Sequence, residues 1–132
     1  MNFYLFLVIF VAVDLLLLFY VLYARSKKGF SKAEKTYFYS QWMMIREEHD
    51  QRHAVLDADK LLNLVLQKKG YAGGVGEQLK RAEKLFSGID EVWKAHKLRN
   101  SIAHELDLRV TSRQAQQALS GFEKALKDLG AL

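Results

Sequence analysis

An apolar run at the start of the chain limits what the rest can fold into. Residues 3 to 23 read FYLFLVIFVAVDLLLLFYVLY and contain one charged side chain, Asp14. At about 1.5 Å per residue, a helix of this length matches the roughly 30 Å hydrocarbon core of a bilayer. Aromatic side chains stand at both ends of the run, as in interfacial belts. We therefore expect residues 1 to 24 to form a transmembrane anchor, with the remaining residues in one domain.

The flanks of this run predict its type and its orientation. A cleavable signal peptide begins with basic residues and ends in small residues, and this run does neither. Basic residues lie only after it, in a juxtamembrane linker over residues 25 to 30 and just beyond: Arg25, Lys27, Lys28, Lys32 and Lys35. The positive-inside rule then predicts a single-pass protein of the cell (inner or plasma) membrane with a cytoplasmic C-terminal domain.

Composition excludes some chemistries and leaves others open. The chain has no cysteine, which rules out a disulfide framework and thiol catalysis. Outside the apolar run stand 20 basic and 14 acidic side chains, and this positive excess suits anionic lipid and nucleic acid equally. His49 and His53 have the i, i+4 spacing of metal ligands, but the sequence offers no third ligand beside them. We therefore expect no metal site and no cofactor.

After the anchor the sequence predicts an all-α fold. There is no proline, and the patterns S-x-x-E at Ser31 and T-x-x-Q at Thr111 are capping boxes that open helices. Helices are expected at about 31–48, 51–69, 76–86, a segment that starts at Ser87 or Asp90 and runs to about 106, and 111–129. The glycine-rich stretch 70–76 lacks the G-K-[ST] of a phosphate-binding loop, so it is read as a connection. Brief connections between such helices indicate an up-and-down bundle of four to five helices over residues 31 to 132.

The fourth of these helices combines an apolar face with a polar one. On a wheel of about 100° per residue, one stripe is apolar and must pack into the bundle: Val92, Ala95, Leu98, Ile102 and Leu106. A second stripe mixes aromatic and polar side chains, with Arg99 bridging the two: Ile89, Trp93, His96, Asn100 and His104. A self-complementary face of this kind favours a homodimer in which Ile89, Trp93 and His96 line a cleft.

The segment Arg99-Asn100-Ser101-Ile102-Ala103-His104 resembles the R-x(4–6)-H motif of the HEPN superfamily (higher-eukaryote and prokaryote nucleotide-binding domains). The expected helical bundle and the place of the motif in its penultimate long helix are similar to that family too. The resemblance implies metal-independent RNA cleavage by a dimer, with Arg99, Asn100 and His104 as catalytic residues. In this reading His104 moves a proton, Arg99 grips the phosphate and Asn100 orients either group.

Two other interpretations of the same cluster stay open. Some HEPN proteins bind nucleotides or partners without cleaving RNA, and some pair with a nucleotidyltransferase as a toxin–antitoxin set. The polar side chains of the motif would then form the centre of a noncatalytic, membrane-attached dimerisation or ligand-binding module. Alternatively, Arg99, Asn100 and His104 satisfy one another or pair with Glu105 and Asp107, with no substrate involved.

Overall fold

The computed structural model describes residues 2–27 and 29–132, with the backbone alone for residues 25–27. Of the basic juxtamembrane residues, Lys28 and the side chains of Arg25 and Lys27 lie outside the described part. The described residues form six α-helices and no strand: α1 (Phe3–Lys27), α2 (Lys32–Glu47), α3 (Gln51–Lys68), α4 (Val75–Arg81), α5 (Ile89–His104) and α6 (Ser112–Asp128). A 3₁₀ turn, Glu83–Leu85, stands between α4 and α5.

Within the described part of the chain, α1 is the one helix that is long and apolar enough to cross a membrane, over Phe3–Ala24. None of that stretch is buried by the rest of the protein. The helix continues to Lys27, so half of the six residues expected to form the linker are helical. The connection from the end of α1 to the first residue of α2 is therefore short.

Both predicted capping boxes are present and begin α2 and α6. The Ser31 side chain accepts from the Glu34 amide, and the Glu34 carboxylate accepts in return from the Ser31 amide at 2.9 Å. This backbone hydrogen bond lowers the pKa of the Glu34 carboxyl below its usual value. Thr111 and Gln114 repeat the arrangement at α6. Sequence did not predict the cap of α3, where Asp50 accepts from the amides of Arg52 and His53.

Side-chain contacts between helices show an up-and-down arrangement. Lys68 at the end of α3 lies 3.5 Å from Glu34 at the start of α2, so these two helices are antiparallel. The start of α5 meets the end of α6, where Asp128 accepts two 2.8 Å hydrogen bonds from Ser87. The starts of α3 and α6 are joined by Gln51, which donates to Ser112. We call the end of the bundle with Ser31 and Lys68 the anchor-side end, and the opposite end the far end.

One apolar core joins α2 to α6, and the part of α1 whose side chains are described, Phe3–Ala24, contributes no buried residue to it. Aromatic side chains of α2, small and branched residues of α3, and the apolar face of α6 supply most of it. Its largest fully buried side chains include Phe38, Leu62, Leu66, Leu79 and Phe122. Phe38, Trp42 and Ile45 of α2 are buried in this core, whereas Tyr37 is half exposed. The bundle therefore has its own core and does not depend on α1 for burial.

Three details of the predicted helices are wrong. Leu106 was placed in the buried stripe of α5, but the helix ends at His104 and Leu106 is 94% exposed. A helix is expected over residues 76–86, but α4 stops at Arg81 and the 3₁₀ turn leaves Leu85 exposed. Neither expected side chain caps α5, because its N-cap is Gly88 and Ser87 is engaged by Asp128 instead.

The close approach of α6 to α5 depends on Gly121 of α6. A Cβ atom at this position would stand 2.9 Å from the backbone oxygen of Glu91 in α5. A backbone atom cannot yield as a flexible side chain does, so a larger residue would force the two helices apart.

We expect Gly121→Ala to destabilise the bundle by about 1–3 kcal/mol, as overpacking in a dense core does. Chemical denaturation of residues 29–132, followed by circular dichroism, measures the change. Gly29→Ala is the control, since a Cβ there meets nothing within 4 Å. Equal stability of the two variants would contradict the close packing of α5 on α6.

Candidate functional site

The polar residues of α5 meet a buried carboxylate that sequence reasoning missed. Asp59 of α3 is 2% exposed, and its Oδ1 lies 2.7 Å from Nδ1 of His96. Its Oδ2 lies 3.2 Å from Nε of Arg99, in an ion pair whose angle is poor for a hydrogen bond. One carboxylate thus contacts two residues that lie almost one turn apart on α5.

Asn100 completes a closed ring with these three side chains. Its Oδ1 accepts from Nη1 of Arg99 at 3.0 Å, and its Nδ2 lies 3.3 Å from Nε2 of His96. The directions are consistent, since arginine only donates and an ionised carboxylate only accepts. His96 then donates through Nδ1 to Asp59 and accepts through Nε2 from Asn100, as a neutral imidazole does. We call Asp59, His96, Arg99 and Asn100 the polar ring.

Burial makes the polar ring costly to break. Asp59 and His96 are nearly inaccessible, at 2% and 8% exposure, while 31% of the Arg99 side chain is exposed. A charge taken from water is tolerated when it is paired and hydrogen-bonded. Asp59 meets this condition through contacts to a cation and an imidazole. His96 and Arg99 of α5 are both held by this carboxylate of α3.

The third motif residue, His104, stands apart from the polar ring. It is the last residue of α5 and is exposed, and among the described residues it makes no hydrogen bond or ion pair. Five residues separate it from Arg99, which is about 140° around the helix and about 7.5 Å along it. One chain therefore does not bring both side chains to the same point. Glu105 and Asp107, proposed as partners of the motif, are exposed, and Arg99 pairs with Asp59 instead.

Arg52 of α3 fixes the end of α5. Its Nη1 donates to the Leu108 carbonyl at 2.9 Å and its Nη2 to the Ile102 carbonyl at 3.2 Å. Carbonyls in the last turn of a helix have no intrahelical partner, so a cation that binds them stabilises the helix end. The contact to Leu108 draws the chain away from helical geometry, and Leu108 rather than Leu106 packs against the core. Arg52 thereby fixes the end of α5, and His104 is the last residue of that helix.

The residues predicted to line the dimer cleft are only partly exposed, and so only partly accessible to a second copy of the chain. Ile89 and Trp93 are half-buried against the core, and His96 is buried in the polar ring. Trp93 packs edge-on against His96, with ring centroids 6.0 Å apart, and both rings lie close to Gly76 of α4. An open groove of about 500 Å³ runs beside Trp93, lined also by Asp90, Lys94 and Lys97.

The described residues contain no group of three or more histidine, cysteine or acidic side chains placed to hold a metal ion. His53 is exposed and lies 3.4 Å from Asp50, its helix cap. No family model, curated protein or solved structure matches the chain.

A signal for Asp59 was present in the sequence. Val55, Leu62 and Leu66 are fully buried and stand four residues before and three and seven residues after it. A carboxylate in the middle of an apolar stripe faces the core and needs a partner. The cation and the imidazole that meet this carboxylate are Arg99 and His96 of α5, which were predicted from the sequence to lie at a dimer cleft. Arg52 lies seven residues before Asp59 on the same face of α3, so its charge also faces the bundle and needs a partner.

We expect Asp59→Ala to destabilise the bundle by about 3 kcal/mol, because it leaves Arg99 and His96 without their partner. Asp57→Ala is the matched control. Asp57 lies two residues away but is exposed and pairs with Lys60 at the surface, which is worth under about 1 kcal/mol. Denaturation of residues 29–132 carrying either change compares them. If both variants lose the same stability, the polar ring does not stabilise the fold.

Proposed function

We propose that this protein is a single-pass membrane protein whose cytoplasmic bundle is HEPN-like and cleaves RNA without a metal, with its active site at the cleft of a homodimer. The supporting observation is the state of Arg99. Asp59 lies 3.2 Å from its Nε and Asn100 accepts from its Nη1, while Nη2 donates no hydrogen bond to the described residues. The guanidinium is held in place and still has donors for a phosphate.

The chemistry follows from the side chains. A guanidinium fixed before substrate arrives stabilises the charge that builds on the phosphoryl oxygens in the transition state. An exposed histidine at His104 exchanges protons with the ribose 2′-hydroxyl that attacks phosphorus, or with the 5′-oxygen that leaves. Asn100 keeps the guanidinium aligned through its carbonyl oxygen. The products would be a 2′,3′-cyclic phosphate and a free 5′-hydroxyl.

Helix geometry is the reason to propose a dimer. Arg99 and His104 of one chain diverge by about 140° around α5, so a single phosphate cannot meet both from one helix. A twofold-related copy of α5 can turn its His104 towards the Arg99 of the first chain, which removes the divergence around the helix. The rise of about 7.5 Å is left for the two side chains to span. The same pairing supplies two histidines, one for each proton transfer. Lys94 and Lys97, beside Trp93, offer an approach for the negatively charged strand.

A noncatalytic dimerisation or ligand-binding module is the second candidate, and one observation favours it. The polar ring closes on itself, so the Arg99 charge is already balanced by Asp59 without any substrate. Such a ring can serve packing specificity alone. A nucleotidyltransferase or another antitoxin as a partner belongs to this second candidate as well as to the first.

Cleavage of a fluorescent RNA in chelator separates the candidates. We expect Arg99→Ala and His104→Ala each to reduce the cleavage rate by about 10²-fold or more, since proton transfer and phosphate stabilisation act in the same transition state. Arg109→Ala and His53→Ala are matched controls at exposed positions and should cleave normally. Unchanged cleavage in both motif variants would remove the nuclease function from this motif. No cleavage by the wild type, together with a dimer in solution, would favour the second candidate.

The proposed topology is tested separately. A cytoplasm-active reporter fused after Leu132 should be active, because every basic flank of the apolar run lies on its C-terminal side. A reporter active only outside the cytoplasm should be silent at the same position. Activity of the second reporter would reverse the orientation.

A further inference from the structure

The anchor-side end of the bundle gathers basic side chains from two helices that are distant in sequence. Lys32 and Lys35 lie in the first turn of α2, and Lys68 and Lys69 lie at the end of α3. The antiparallel packing of α2 on α3 places these two turns side by side. We call Lys32, Lys35, Lys68 and Lys69 the basic patch.

Short contacts fix the two halves of the basic patch together. Lys68 lies 3.5 Å from Glu34, and Nζ of Lys69 stands 5.0 Å from the centre of the Phe30 ring. Glu34 is the one carboxylate on these two turns. Its Oε2 accepts from the Ser31 amide, and its Oε1 lies 3.5 Å from Nζ of Lys68. The patch thus carries four positive charges against one negative charge.

Chain connectivity determines what this patch can meet. Only residues 28 to 31 separate the end of α1 from Lys32. At 3.8 Å between consecutive Cα atoms, Lys32 stands at most about 19 Å from Lys27. Helical side chains also tilt towards the N-terminus of their helix, so Lys32 and Lys35 lean towards the anchor. The short tether keeps the patch at high effective concentration beside the membrane surface.

We propose that the basic patch is a docking surface for anionic phospholipid headgroups, which holds the bundle upright with its anchor-side end against the bilayer. The proposal rests on the proposed membrane anchorage and is independent of RNA cleavage. A lysine near a surface rich in anionic lipid favours binding by about fivefold, and the tether makes four such contributions act together. The cytoplasmic leaflet, where the bundle is placed by the flanking charges, is the anionic one.

A fluorescence experiment on the full chain tests the proposal. Because the protein has no cysteine, a single introduced thiol carries the dye. Gln67→Cys puts it at the end of α3, and Gln116→Cys puts it at an exposed position near the far end. The labelled proteins enter nanodiscs of phosphatidylcholine alone or mixed with phosphatidylglycerol, both with a headgroup-linked quencher. We expect stronger quenching at position 67 in the mixed discs, with salt reversing it, and no lipid dependence at position 116.

Charge variants make the test specific. Lys68→Gln with Lys69→Gln should weaken the docked state by about 25-fold, on the fivefold contribution expected of each lysine. Quenching at position 67 should then fall towards its level in phosphatidylcholine. Lys94→Gln with Lys97→Gln removes the same charge from α5 and should leave the quenching at position 67 unchanged. Quenching at position 67 that ignores lipid charge, or that survives the patch variant, overturns the docking surface. Release of the protein from discs by alkaline carbonate would instead contradict the anchorage.

Discussion

The carboxylate of Asp59 is the constraint on which the arrangement of α3 and α5 depends. A buried charge has to be paired, and among the residues that the structure describes the cation and imidazole that reach this one stand on the facing helix. Apolar contacts alone would permit α5 to slide or rotate along α3 at small cost. The polar ring permits one register, because His96 and Arg99 must meet the two oxygens of the same carboxylate. The same pairing that fixes the register also holds the guanidinium of the proposed site.

Much of the fold was accessible from local sequence signals. The capping boxes at Ser31 and Thr111 and the apolar periodicities predicted where helices begin and which faces they bury, and these are confirmed. The boundaries that failed depend on contacts between distant residues. Arg52 ends α5 before Leu106 by binding the carbonyls of Ile102 and Leu108, and no local pattern announces this. Helix-forming residues continue past His104, so the apolar periodicity predicted a helix that extends to Leu106.

The sequence predicted a polar site on α5 but not which residues its side chains contact. The motif pointed to Arg99, Asn100 and His104, yet the structure separates His104 from the other two and adds Asp59. Which residue pairs with Arg99 is decided by the packing of α3 against α5, and sequence proximity to Glu105 was misleading. The HEPN resemblance is carried by the motif and by the all-helical arrangement.

The direction of α5 restricts how two copies can meet. The helix starts at the anchor-side end, where Ser87 binds the end of α6, and finishes at the far end with His104. In the proposed homodimer, two chains inserted in one bilayer with the same orientation would be related by a twofold axis along the membrane normal. With the bundle upright, their α5 helices would run side by side in parallel, each Arg99 level with its copy and each His104 about 7.5 Å higher. A strand held across the two arginines would then lie parallel to the bilayer, with its scissile bonds reached from the cytoplasmic side.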